Sequence, residues 1–128
     1  MSEIPFGLLT QSSQDNPHWI EEGYFIHELL NHPLAESSIA RARVPIGDKT
    51  RWHTVSVHEW YIVESGKGQV ELDFQDGFEV LTGMNISIPP NTPQRILNTG
   101  EQELIFMCLY TPRFTPKYYT PLEKSDES

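Results

Sequence analysis

Gly47-Asp48-Lys49-Thr50-Arg51-Trp52-His53-Thr54-Val55-Ser56-Val57-His58-Glu59-Trp60-Tyr61-Ile62-Val63-Glu64-Ser65-Gly66 reads as two short β-forming runs around a reversal. His53 and Glu59 are six positions apart. On one straight strand that is about 20 Å, at about 3.3 Å per residue, and no single ion bridges it. If the chain folds back between Val55 and Glu59, the two side chains meet across neighbouring strands, where facing Cβ atoms lie about 5 Å apart. Imidazole and carboxylate then converge on one point, a pair suited to Fe, Mn, Ni, Cu or Zn.

Working outward, short runs rich in Val, Ile, Tyr and Phe alternate with turn signals at Pro45-Ile46-Gly47-Asp48, Glu64–Gly68, Asp76-Gly77, Thr82-Gly83, Pro89-Pro90-Asn91 and Thr99-Gly100. Turn signals recurring roughly every 8–12 residues indicate an all-β sandwich or barrel. Strands are expected near 37–44, 50–55, 59–63, 69–74, 77–81, 85–88, 94–98 and 103–110, with no helix after residue 35. Before that the chain looks irregular apart from a strand from Gly23 to Leu30, favoured over a short helix by its aromatic and β-branched content. After Tyr110, prolines 112 and 116 and a cluster of aromatics point to an extended arm packed on the barrel. The expected division is an N-terminal extension with an edge strand over 1–34, a barrel over 35–112, and an arm with a frayed acidic tail over 113–128.

The quoted stretch resembles the first cupin motif: Gly, five residues, His-x-His, three or four residues, Glu, six residues, Gly. Gly47, His53, Glu59 and Gly66 fall at those spacings, and Val55 stands where the second histidine belongs. Gly83-Met84-Asn85-Ile86-Ser87-Ile88-Pro89-Pro90-Asn91-Thr92-Pro93-Gln94-Arg95-Ile96-Leu97-Asn98 resembles the second motif. Gly83, Pro89 and Asn98 match, Asn91 replaces a glycine, and Gln94 replaces the histidine. Asn tolerates positive φ, so the change at 91 is mild. The resemblance implies a single-domain antiparallel double-stranded β-helix, a jelly-roll barrel with a metal inside held by three histidines and a glutamate. It implies a divalent transition metal (Fe, Mn, Ni, Cu or Zn) on His53, Glu59 and the amide oxygen of Gln94, with Val55 contributing nothing.

Composition narrows the partners. The 128 residues suit one domain. A net charge of −9 opposes nucleic acid and anionic membranes, because both reward a basic surplus. No run approaches the about 20 apolar residues of a membrane span, and the start of the chain has neither a basic nor an apolar signal segment. The cytoplasm is therefore the expected compartment. Cys108, the lone cysteine, excludes an internal disulfide and reads as a small buried hydrophobe, not a nucleophile.

Glu59, Tyr61 and Arg51 are the candidate catalytic residues. An inward carboxylate is costly to bury unpaired, and alternation turns Tyr61 and Arg51 toward the cavity. Core packing is the plainer role for Tyr61, and a solvated strand end for Arg51. His58, beside Glu59 in the reversal, should point outward, and Trp52 and Trp60 should pack the barrel or a dimer face. The expected function is metal-dependent action on a small molecule, of dioxygenase, isomerase, epimerase or lyase type. The competing function is a metal-free binding module with a degenerate metal site. A homodimer is expected, through an edge strand around Tyr24–Leu30.

Overall fold

The structure is a computed structural model that describes residues 2–4, 7–21 and 24–123. Gly23, the expected start of the early strand, and residues 124–128 of the acidic tail lie outside the described residues. The strands run in chain order as β1 (Ser2–Ile4), β2 (Gly7–Leu9), β3 (His18–Glu21), β4 (Tyr24–Leu30), β5 (Ser38–Val44), β6 (His53–Val55), β7 (His58–Ser65), β8 (Lys67–Leu72), β9 (Phe78–Leu81), β10 (Asn85–Ile88), β11 (Gln94–Asn98), β12 (Leu104–Thr111) and β13 (Tyr119–Pro121). A single 3-10 turn, Pro116–Tyr118, precedes β13. None of the described helices is long and apolar enough to cross a membrane.

Two antiparallel sheets face one another as a double-stranded β-helix. One has the order β10-β7-β12-β5-β4-β3, the other β13-β6-β11-β8-β9, and β1 and β2 form a separate hairpin. Alternation drives this arrangement. Along β5, β7, β11 and β12 every second side chain is buried, so each strand gives one face to the interior and one to the outside. Val44, Val63, Val70, Ile88, Ile96, Leu104 and Phe106 fill the core between the sheets.

Several motif positions outside the expected ligand set are structural pins. Asn91 has φ +64°, the left-handed conformation that Asn shares with Gly. Gly66 has φ +93°, and a Cβ there would sit 2.9 Å from the carbonyl oxygen of Glu103. Asn98 donates through Nδ2 to the carbonyls of Val44 (2.9 Å) and Gln102 (2.8 Å) and accepts at Oδ1 from the N–H of Gly100 (2.9 Å). It ties the β11–β12 turn to the end of β5.

Two expectations need correction. β6 and β7 are not neighbours in one sheet; they belong to opposite sheets, so His53 and Glu59 look into the interior from facing walls. Tyr24–Leu30 is not an edge, because β4 pairs with β5 on one side and β3 on the other. The N-terminal edge of that sheet is β3. Beyond β12 the chain stays on the barrel, the Phe114 N–H donating to Ser38 Oγ of β5 at 2.8 Å, and it reaches the margin of the second sheet as β13.

Candidate functional site

Between the sheets lies a cavity of about 240 Å³. It exists because inward positions of three strands are polar or aromatic instead of aliphatic: His53 on β6, Glu59 and Tyr61 on β7, and Phe106, Cys108 and Tyr110 on β12. Trp19 from β3 and Phe114 from the C-terminal arm complete the wall and meet edge to face, with ring centroids 6.4 Å apart.

His53 is buried, and its Nδ1 donates to the carbonyl oxygen of Arg51 at 2.6 Å. A carbonyl only accepts, so that bond fixes the tautomer and leaves Nε2 as the acceptor nitrogen. Burial lowers the imidazole's pKa, more strongly than the Arg51 carbonyl and the charge of Glu123 raise it. The ring is therefore neutral at pH 7. Tyr119 stacks on it at 5.1 Å.

Glu59 is 2% exposed. Loss of hydration pushes its carboxyl up to about 7, against smaller opposing contributions from hydrogen bonds of Tyr110, Gln94 and Cys108. Its Oε1 nonetheless has no hydrogen-bond partner among the described residues. Burial, with the neighbouring Glu59 charge, also holds Cys108 and Tyr110 in their protonated forms. They face the carboxyl as neutral donors, and the thiol is no nucleophile.

Tyr61 lines the cavity, as its phase in β7 requires, and its hydroxyl donates to Gln94 Oε1 at 2.5 Å. Gln94 is 1% exposed and lies behind the wall, not in it. Its oxygen engaged by Tyr61, the amide turns its N–H₂ toward Glu59. The oxygen expected to serve a metal thus has one of its two lone pairs committed to tyrosine. Arg51 is likewise outside the cavity wall; what reaches the site is its carbonyl, which orients His53. His58 sits on the outer side, 2.8 Å through Nε2 from the Ser87 hydroxyl, and Trp52 packs outside against Phe74 and Arg95. Trp60 is also on the outer face.

These residues do not fit a resident divalent metal. Among the described residues no three His, Cys, Asp or Glu side chains are grouped so that they could hold a metal ion. Val55 puts an isopropyl group in the wall, the Gln94 oxygen accepts from Tyr61, and His53 and Glu59 are the two expected ligands left. Four protein ligands in a closed site, or three with one open position, is the ordinary requirement for zinc.

Tyr110, Cys108, Trp19 and Phe114 carry no motif, and the sequence reading did not place them at the site. For Cys108 and Tyr110 the signal was available: they are in phase with Phe106 along β12. Trp19 and Phe114 arrive from outside the barrel strands and leave no such trace.

Comparison with known proteins matches this picture. The family described as Cupin domain matches residues 40–110. An uncharacterized protein of Methanocaldococcus jannaschii is 34% identical over 112 residues, which cover 84% of this chain and 89% of that one. Among solved structures, a polyketide cyclase from Streptomyces resistomycificus superposes with a TM-score of 0.73 at 17% identity, covering 93% of this chain and 89% of its own. A cupin-like protein from Thermotoga maritima gives 0.70 at 18%, covering 98% and 93%. At such identities the two structures speak for the fold alone.

Proposed function

We propose a function from one premise: the chain belongs to the cupin domain family. Its barrel cavity binds a small organic molecule, and Glu59 exchanges a proton with it without a resident metal. The observation that carries this reading is Glu59 Oε1, a buried carboxyl oxygen in the cavity wall with no protein partner. A general acid or base works best when its pKa lies near the working pH, and burial raises this carboxyl to about 7. The Tyr61–Gln94 hydrogen bond fixes the amide beside Glu59, and the amide's donor side offsets part of the burial that raises the carboxyl's pKa. Neutral His53 offers Nε2 as a second acceptor for the bound molecule. The reaction class that these groups suit is proton transfer at an acidic C–H beside a carbonyl, as in isomerisation or elimination through an enol.

The test is deuterium exchange. With a panel of small ketones and 1,3-dicarbonyl compounds in D₂O, the protein should speed loss of the C–H signal by NMR, and Glu59→Gln should abolish the effect. Because the base is the ionised carboxylate, the rate should rise with pH through about 7. Exchange that is indifferent to Glu59 would refute the assignment. The protein's expected assembly remains a homodimer, now through β3, which among the described residues has no strand beyond its outer edge.

A further inference from the structure

We infer that the cavity selects neutral aromatic molecules bearing a hydroxyl group, which donates to Glu59 Oε1 or His53 Nε2, and that it rejects anions. The inference rests on the reading of this cavity as a ligand site and adds to it the class of ligand.

Three observations carry it. The first is the balance of donors and acceptors. Glu59 Oε1 is a buried acceptor without a donor. His53, its Nδ1 spent on the Arg51 carbonyl, presents Nε2 as a second acceptor. Of the donors beside Glu59, the Tyr61 hydroxyl is engaged by Gln94, and no donor among the described residues reaches Oε1. A ligand that satisfies Glu59 Oε1 must bring a donor of its own, since a buried acceptor left unmatched is costly.

The second observation is charge. Among the described residues no Lys or Arg lines the cavity, whereas Glu28 and Glu59 both do. A carboxylate or phosphate would lose its hydration with nothing to pair it, and would face acidic side chains besides. The third is shape and surface. Tyr61 and Phe106 lie 4.8 Å apart, Tyr110 and Phe114 5.0 Å, and Trp19 stands edge-on to Phe114. Ring faces and edges on several sides of a cavity favour a flat aromatic guest over a flexible chain. At about 240 Å³ the space is below the roughly 300–1,000 Å³ of pockets for drug-sized ligands, which limits the guest to one or two fused rings.

Calorimetric titration of the full chain with three probes tests this: 2-naphthol, its methyl ether, and 2-naphthoate. Naphthol should bind, the ether at least about tenfold more weakly because it lacks the donor, and the carboxylate should give no binding heat. Ala40→Leu, which fills the cavity, should abolish naphthol binding; should that variant not fold, Val55→Leu serves the same purpose. The inference is overturned if the ether or the carboxylate binds as tightly as naphthol, if none of the three binds, or if the filled variants bind naphthol undiminished. Deuterium exchange reads the Glu59 reading separately. Equal binding of ether and naphthol with Glu59-dependent exchange intact removes the selectivity alone. Naphthol selectivity without exchange removes the proton transfer alone.

Discussion

Glu59 is held between opposing demands: the cavity strips its hydration, while Tyr110, Gln94 and Cys108 stabilise its charge. Removing one of those donors should therefore raise its pKa further, and Gln94→Leu is expected to shift the pH midpoint of Glu59-dependent exchange upward from about 7. An unchanged or lowered midpoint would mean that the amide is not a donor to the carboxyl. The metal question is decided at residue scale too. Wild-type protein should purify with far less than one transition-metal ion per chain by mass spectrometry, and Val55→His combined with Gln94→His should acquire stoichiometric Fe, Mn, Ni or Zn. One tightly held ion per wild-type chain would restore the metal-centred expectation. His53, Glu59 and Tyr61 were legible in the sequence because motif spacing and strand alternation point them inward. The facing of Gln94 was not, since an amide's orientation depends on its neighbours: here, a tyrosine hydroxyl from the opposite sheet.

At the scale of elements, the turns hold the barrel in register. Asn98→Ala would leave the carbonyls of Val44 and Gln102 and the N–H of Gly100 without their side-chain partner, a loss of about 2–3 kcal/mol by chemical denaturation. A change within about 0.5 kcal/mol would show that water replaces the side chain at little cost. Strands from β5 to β12 were readable from sequence because turns rich in Gly, Pro and Asn bound short β-forming runs, some alternating as in β5 and others continuously apolar as in β12. β3 and β13 were not. His18-Trp19-Ile20-Glu21 and Tyr119-Thr120-Pro121 are too short to show a period, and each becomes a strand only because β4 or β6 offers it an edge. The same missed β3 is why Tyr24–Leu30 looked like a free edge.

The whole molecule should report the buried carboxyl in its stability. Glu59's folded pKa is raised, so between about 4.5 and about 7 the native state holds a proton that the unfolded chain has released. Stability contributed by this group therefore falls as pH climbs through that window, by about 3 kcal/mol at 1.36 kcal/mol per unit. His53 works in the opposite direction: its lowered pKa makes the folded state gain stability as pH rises toward the unfolded imidazole's 6.5. Comparing wild type with Glu59→Gln across pH 4–8 isolates the carboxyl, and the wild type should lose more stability toward pH 8 than the variant. Light scattering should give twice the monomer mass at micromolar concentration, and a monomer would remove β3 as a dimer edge. The most direct test of the account is the ionisation of Glu59 itself, followed by carbon NMR of side-chain carboxyls in labelled protein and assigned by its absence in Glu59→Gln. One carboxyl titrating at about 7 is the expected result; Glu59 titrating with the exposed glutamates near the usual 4.3 would contradict it.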